Sequence, residues 1–214
     1  MFSKDAKIPD ESNRCALMVD IETMSTEKNA SILTIGVTQF DPSGWNNEEE
    51  LRAQSTLFGP ISLESNQLAG RHFSGQTVAW WLSLPKEAQN ALIEGAPAGL
   101  NNVLNAFRKW MCEVEPKPAC IWANSPSFDL EILKNAFDFS GQMWPFGFWA
   151  ERDVRTIKEA AYPCSSPDDF PPFETGTAHD AVDDCIKQCL QVQHCYHVIQ
   201  RAEERWEPLI ITET

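Results

Sequence analysis

The sequence predicts an α/β domain in which a mixed sheet, begun by an antiparallel three-strand meander, is flanked by helices. Three observations carry that prediction. Two apolar runs rich in Ile, Val and Thr, at residues 15–22 and 31–40, open the chain. A turn signal, Asp41-Pro-Ser-Gly44, ends the second, and a further strand-like run follows at residues 51–58. Beyond residue 100 the apolar period lengthens to that of helices, interrupted by one short strand.

Each element has its own signal. Residues 15–22 alternate across two faces and form the first strand, and residues 31–40 the second. The acidic stretch ending Glu48-Glu49-Glu50 reads as a solvated loop before the third strand. Leu100, Val103, Leu104, Phe107, Trp110 and Met111 share one helical face. Residues 120–123 form a short strand, and Leu130, Leu133, Ala136 and Phe137 mark another helix with Ser127 as its cap. A proline-rich loop spans 163–177, and a long helix spans 178–203. With 214 residues the chain suits one domain, placed at 14–203 between a flexible N-terminal segment, 1–13, and a tail, 204–214.

Composition narrows the function. Hydrophobic residues are 43% and charged residues 22%, ordinary for a globular protein, and no stretch approaches the roughly 20 apolar residues of a membrane span. The N-terminus lacks the apolar core of a signal peptide, so a cytoplasmic location is expected. Seven cysteines, none in a CxxC pair, fit a reducing compartment. Cys185 and Cys189 join Val182, Ile186 and Leu190 as core positions; zinc binding by Cys185, Cys189, His194 and Cys195 matches no familiar ligand spacing. A net charge of −14 argues against wrapping long nucleic acid with a basic surface. It leaves open a grip on a strand end through metal ions.

The chemistry lies in the acids. Asp20 and Glu22 stand two residues apart at the end of the first strand, on one face. Two like charges leaving water together need compensation, and a hard divalent cation, Mg²⁺ or Mn²⁺, is the simplest. Asp129 opens a helix, where the dipole alone would favour it. His179-Asp180-Ala181-Val182-Asp183-Asp184 opens the last helix, with the same bland alternative for its acids and a capping or surface role for His179.

Taken in order, the motifs are Asp20-x-Glu22, then Asn124-x-x-x-Phe128-Asp129, then His179-x-Ala181-x-x-Asp184. This set resembles the DEDDh exonucleases, the histidine branch of the DnaQ-like, ribonuclease H-like superfamily. Thr77-Val-Ala-Trp80-Trp81 and the segment from Phe148-Trp149 to Arg152-Asp153-Val-Arg155-Thr156 resemble the group of phage exodeoxyribonuclease A, prophage exonuclease VIII-like proteins and mycobacterial ribonuclease AS. The resemblance implies a 3′→5′ exonuclease releasing nucleoside 5′-monophosphates from single-stranded DNA or RNA. It implies two divalent cations, one held by Asp20, Glu22 and Asp184, the other by Asp20 and Asp129, with His179 as general base. Asp183 is the competitor of Asp184, and the family's histidine-to-aspartate spacing favours Asp184.

The resemblance also implies that Thr23, Met24, Asn124 and Phe128 meet the terminal nucleotide. Trp81 is expected to contact substrate, with Trp80, Phe148 and Trp149 as further stacking candidates against the alternative of core packing. Arg152 and Arg155 could meet phosphate or form structural ion pairs, and His72 suits a solvated loop. Related exonucleases are often homodimers, which extends here as an expectation. The alternatives are an RNA-specific 3′ trimming exoribonuclease and a catalytically idle binding module of the same fold.

Overall fold

A computed structural model describes residues 14–91, 95–164, 173, 176 and 179–203. Five strands form one sheet: β1 (Ala16–Thr23), β2 (Ile32–Phe40), β3 (Ser55–Phe58), β4 (Cys120–Ala123) and β5 (Glu151–Asp153), in the order β3-β2-β1-β4-β5. The pairs β1–β2 and β2–β3 are antiparallel, whereas β1–β4 and β4–β5 are parallel. The eight helices among the described residues are α1 (Glu48–Ala53), α2 (Leu63–Leu68), α3 (Gly75–Ser83), α4 (Lys86–Ala91), α5 (Leu100–Glu113), α6 (Asp129–Phe139), α7 (Val154–Ala161) and α8 (Ala181–Glu203). The mixed α/β architecture and the leading meander are those the sequence predicts.

Central strand β1 is buried on both faces because its side chains feed two separate cores. Leu17, Val19 and Ile21 pack with Leu104 and Phe107 of α5 and Leu130, Leu133 and Phe137 of α6. Ala16 and Met18 pack on the other face with Val154 of α7 and Cys185, Ile186, Cys189 and Val192 of α8. Asp20 and Glu22 continue the Ala16–Met18 phase, so alternation alone turns both acids toward α8. The β1–β2 register shifts between Glu22 and Thr23, which bends the strand where the acidic pair ends.

The approach of α8 depends on one glycine. Gly36 of β2 lies opposite Asp20, and a Cβ there would overlap the carbonyl of Ala181, the first residue of α8. Asp180 caps the helix, its Oδ1 accepting the N–H groups of Val182 and Asp183 at 3.0 Å each. His179 precedes the cap with φ 65°, in the left-handed region, and so the helix starts at 181 rather than 178.

Three further details differ from the sequence prediction. Residues 48–53 are helical, and only Ser55–Phe58 pairs with β2. Asn47 and Glu50 form a reciprocal capping box at 2.9 and 3.0 Å, Arg52 pairs with Glu48 one turn away, and Leu51 is buried. The acidic triplet is thus a first helical turn. At α6 the capping position is Phe128, not Ser127, and the carbonyl of Ser125 takes the N–H groups of Phe128 and Asp129. Strand β5, three residues long, was too short to show a period in the sequence. The segments 1–13 and 204–214 and most of 163–177 lie outside the described residues.

A Gly36→Ala variant should push α8 away from β1. Overpacking of this kind costs about 1–3 kcal/mol, which urea unfolding would read as a lowered midpoint with an unchanged slope.

Candidate active site

The end of β1, the start of α6, the start of α7 and the start of α8 enclose a cavity of about 400 Å³. Asp20, Ile21, Glu22, Asn124, Ser125, Phe128, Asp129, Arg155, His179 and Asp184 line it. All four predicted acids and the predicted histidine are therefore neighbours, although they come from three distant parts of the chain. Ligand atoms of Glu22, His179 and Asp184 lie within 4.8 Å of one another. Gln188, one helical turn after Asp184, donates its Nε2 to Asp20 Oδ1 at 2.8 Å. That bond holds the Asp20 carboxylate in one orientation from the α8 side.

Burial and mutual repulsion raise the affinity of these acids for protons. Glu22, 8% exposed, is pushed up to about 10, first by desolvation and then by Asp20, Asp184 and Asp129. Asp129, 5% exposed, is raised to about 7 by desolvation; backbone N–H groups including that of Ile21, and the charge of Arg155, act against the rise. Asp20 is raised well above the usual carboxylate range by burial and by its acidic neighbours, and Asp184 is raised by burial. A cluster of oxygen donors that resists ionisation by itself is a fitting seat for hard divalent cations, whose charge would remove the penalty.

A second cavity, of about 500 Å³, adjoins the first and shares Ile21, Glu22 and Phe128 with it. Thr23, Ser25, Thr26, Ser74, Gln76, Thr77, Trp80 and Trp81 complete its lining. Hydroxyls, an amide and indole rings line it, and among the described residues Glu22 is its one lining acid.

A family model for the 3′-5′ exoribonuclease Rv2179c-like domain matches residues 15–196. The chain belongs to that family. Among solved structures, this exoribonuclease-family chain is similar to the zinc-ion-bound form of the E. coli exonuclease I–ssDNA complex (TM-score 0.61, 14% identity, covering 89% of this chain and 42% of that one). It is also similar to product-bound exonuclease I (TM-score 0.58, 14% identity, 89% and 45%). A third likeness is to the nuclease domain of 3′hExo, a DEDDh family member bound to rAMP (TM-score 0.52, 12% identity, 90% and 94%). At these identities the likeness is one of fold, and the chain spans less than half the length of the exonuclease I chains. No curated protein matches the sequence.

Within this exoribonuclease-family domain, the two adjacent aspartates of α8 diverge. Asp184 lines the acid cavity, whereas Asp183 turns to α1 and pairs with Arg52 at 2.7 Å. Consecutive helical side chains point about 100° apart, so only one of the two can face β1.

The aromatic expectations separate in the same way. Trp81 is 3% exposed and donates its indole N–H to the Thr23 carbonyl at 2.9 Å; it shapes the second cavity as a packed support and offers no open stacking face. Trp80, 41% exposed, lines that cavity with its ring centroid 4.9 Å from that of His179. Met24 lines neither cavity: its side chain packs with Leu33 and Trp81, and its backbone bonds to Ser31 and Ser74. Thr23, Asn124 and Phe128 do line the cavities. Phe148 and Trp149 lie exposed on a 3₁₀ turn outside both, and His72 bonds Ser25 outside both. Sequence reasoning missed Gln188, although its spacing of four from Asp184 places it on the same helical face, and left Arg155 unassigned.

The raised acids have a thermodynamic signature. The folded, metal-free chain holds protons that the unfolded chain releases, over about pH 4–7 for Asp129 and about pH 4.5–10 for Glu22. The stability these protons confer is present at low pH and is lost as pH rises through those folded values. The melting temperature of the metal-free protein should therefore fall between about pH 5 and pH 8, at about 2–4 °C per kcal/mol lost. Glu22→Gln should flatten the slope, and Mg²⁺ should restore stability at the alkaline end. A slope that Glu22→Gln leaves untouched would assign it to net charge instead.

Proposed function

We propose that this chain is a metal-dependent 3′→5′ exonuclease that removes nucleoside 5′-monophosphates from single-stranded 3′ ends. The observation that carries the reading is the convergence of Asp20, Glu22, Asp129, Asp184 and His179 in one cavity, beside a second cavity lined by Trp80 and hydroxyl groups. Membership of a 3′-5′ exoribonuclease family supports it. A fold shared with exonuclease I, solved with single-stranded DNA, supports a single-stranded end as substrate.

In this reading Asp20, Glu22 and Asp184 hold one divalent cation, Mg²⁺ or Mn²⁺, and Asp20 with Asp129 holds a second. When bound, the cations neutralise phosphate charge and lower the pKa of an attacking water. His179, beside Glu22 and Asp184, takes the proton from that water. Gln188 keeps Asp20 turned toward the site. The terminal nucleoside occupies the second cavity against Thr23, Phe128 and Trp80, with Trp81 holding the Thr23 backbone from behind. The leaving strand passes Asn124 and Ser125. A single exonuclease domain over residues 14–203 and a cytoplasmic setting, drawn from the length and composition of the sequence, and a homodimer, drawn from the family resemblance, are further parts of the proposal. RNA-specific trimming is the second reading, favoured by the exoribonuclease description of the family model.

Digestion of matched 5′-labelled RNA and DNA, single- and double-stranded, with Mg²⁺, Mn²⁺ or EDTA tests the reading. We expect shortening from the 3′ end of single strands that EDTA abolishes; equal, metal-independent background on all four substrates would remove the enzyme. RNA-only digestion would select the trimming reading.

Two variants test the site. Asp184→Asn should abolish release of the 3′ nucleotide. Asp183→Asn should retain most of it and lose about 1 kcal/mol or less of stability, because its partly exposed partner Arg52 gains little from the pair. A dead Asp183 variant beside an active Asp184 variant reverses the assignment.

A further inference from the structure

The acid cavity contains one guanidinium that the chemistry above does not use. Arg155 lies in the first turn of α7, immediately after β5, which pairs in parallel with β4 so that Ala123 faces Asp153. Asp153 caps the helix and takes the backbone N–H of Arg155 at 3.1 Å. This fixes the backbone at the start of α7, from which the side chain lines the same cavity as Asn124, Ser125 and Asp129. Its charge acts on Asp129.

Neighbouring cations have other work. Arg152 donates to the carbonyls of Trp149 and Glu151 at 2.7 and 2.8 Å. Lys134 pairs with Glu131 and Glu151. Arg71 is buried and donates to Ala30, Ile132 and Asn135. Among the described residues, Arg155 is the arginine that lines the cavity.

Neutralising the acids is a poor account of it. In the exonuclease reading two divalent cations would neutralise the carboxylate charge, and Arg155 would not be needed for that. Position gives the better account. Arg155 lines the acid cavity and not the Trp80 cavity, which lies on the Glu22–Phe128 side. With the terminal nucleoside in the Trp80 cavity and the scissile phosphate at the acids, Arg155 stands on the side by which the remaining strand departs.

We propose that Arg155 binds the leaving strand, gripping the phosphodiester one nucleotide upstream of the bond being cut. The inference rests on the exonuclease reading above. A mononucleotide product has no such phosphate and is free to leave, whereas the shortened strand stays held. A chain of net charge −14 needs such a local cation, because its overall field repels the polymer.

The test compares two substrates on the full chain with Mn²⁺. One is a single-stranded oligonucleotide. The other is the p-nitrophenyl ester of a nucleoside 5′-monophosphate with the same sugar, which presents a terminal nucleoside and a scissile phosphodiester but no upstream phosphate. In Arg155→Ala the ratio of kcat/KM on the oligonucleotide to that on the ester should fall about 10- to 100-fold, the worth of a charge-assisted hydrogen bond, mainly through KM. The slope of log KM against log salt on the oligonucleotide should lose about 0.7–1. Arg155→Lys should keep the salt slope. Equal loss on both substrates would place Arg155 at the scissile phosphate or behind Asp129, and no loss on either would make it a surface residue; each overturns the inference alone. A wild type that cleaves neither substrate overturns the exonuclease reading and this inference with it.

Discussion

Four carboxylates crowded into a half-buried cavity are the constraint on which this molecule is built. The carboxylates of Glu22 and Asp184 come within 4.8 Å of each other, where two full charges repel by about 3 kcal/mol or more at an effective dielectric of about 20. Desolvation is the largest cause of the raised proton affinities of Asp20, Glu22, Asp129 and Asp184, and repulsion from neighbouring acids adds to it at Asp20, Glu22 and Asp184. The hydrogen bond from Gln188 to Asp20 and the backbone N–H groups at Asp129 relieve it only in part. The acids stay together because large apolar surfaces on both faces of β1 hold the elements that carry them.

The approach of α8 to β1 decides how close the acids come. Gly36 removes the side chain that would hold the helix off, and Asp180 caps it at the required residue. Gln188 then reaches back to Asp20. The left-handed backbone of His179 belongs to the same device: it turns the chain sharply into the helix and leaves the imidazole beside Glu22 and Asp184. On the opposite side, Arg71 ties the β1–β2 connection to α6 through three neutral acceptors, which sets the helix that presents Asp129. Burial lowers its proton affinity to about 10, which still leaves it charged at neutral pH.

Charge is segregated by function within an acidic chain. The exposed acids of α1 are satisfied by the helix N-terminus and by Arg52. Glu131 of α6 pairs with Lys28 and Lys134, and Glu151 of β5 pairs with Lys134. Among the described residues, Arg155 is the one arginine lining the cavity beside its acids, and that imbalance suits the cavity to a cation more than to one more surface salt-bridge network.

Much of this was legible in the primary structure where one period ran long enough to be read. Strands β1 and β2, the amphipathic stripe of α5 and the long α8 all announce themselves in this way, and the placing of Asp20 and Glu22 on one face follows from alternation. Short elements hid: β5 has three residues, and the Asn47–Glu50 capping box overruled a strand-like run at Leu51. Side chains that differ only in direction hid too. Asp183 and Asp184 are adjacent and identical, as are Trp80 and Trp81, yet one of each pair faces the cavities openly and the other is committed to Arg52 or to the Thr23 carbonyl. Local sequence determined the elements and the kinds of donor they carry, because hydrogen bonding and hydrophobic period act over a few residues. Which donors meet, and which are turned away, was decided only by the tertiary packing of α6, α7 and α8 on the sheet, because that choice depends on contacts between segments more than a hundred residues apart, such as Gln188 with Asp20.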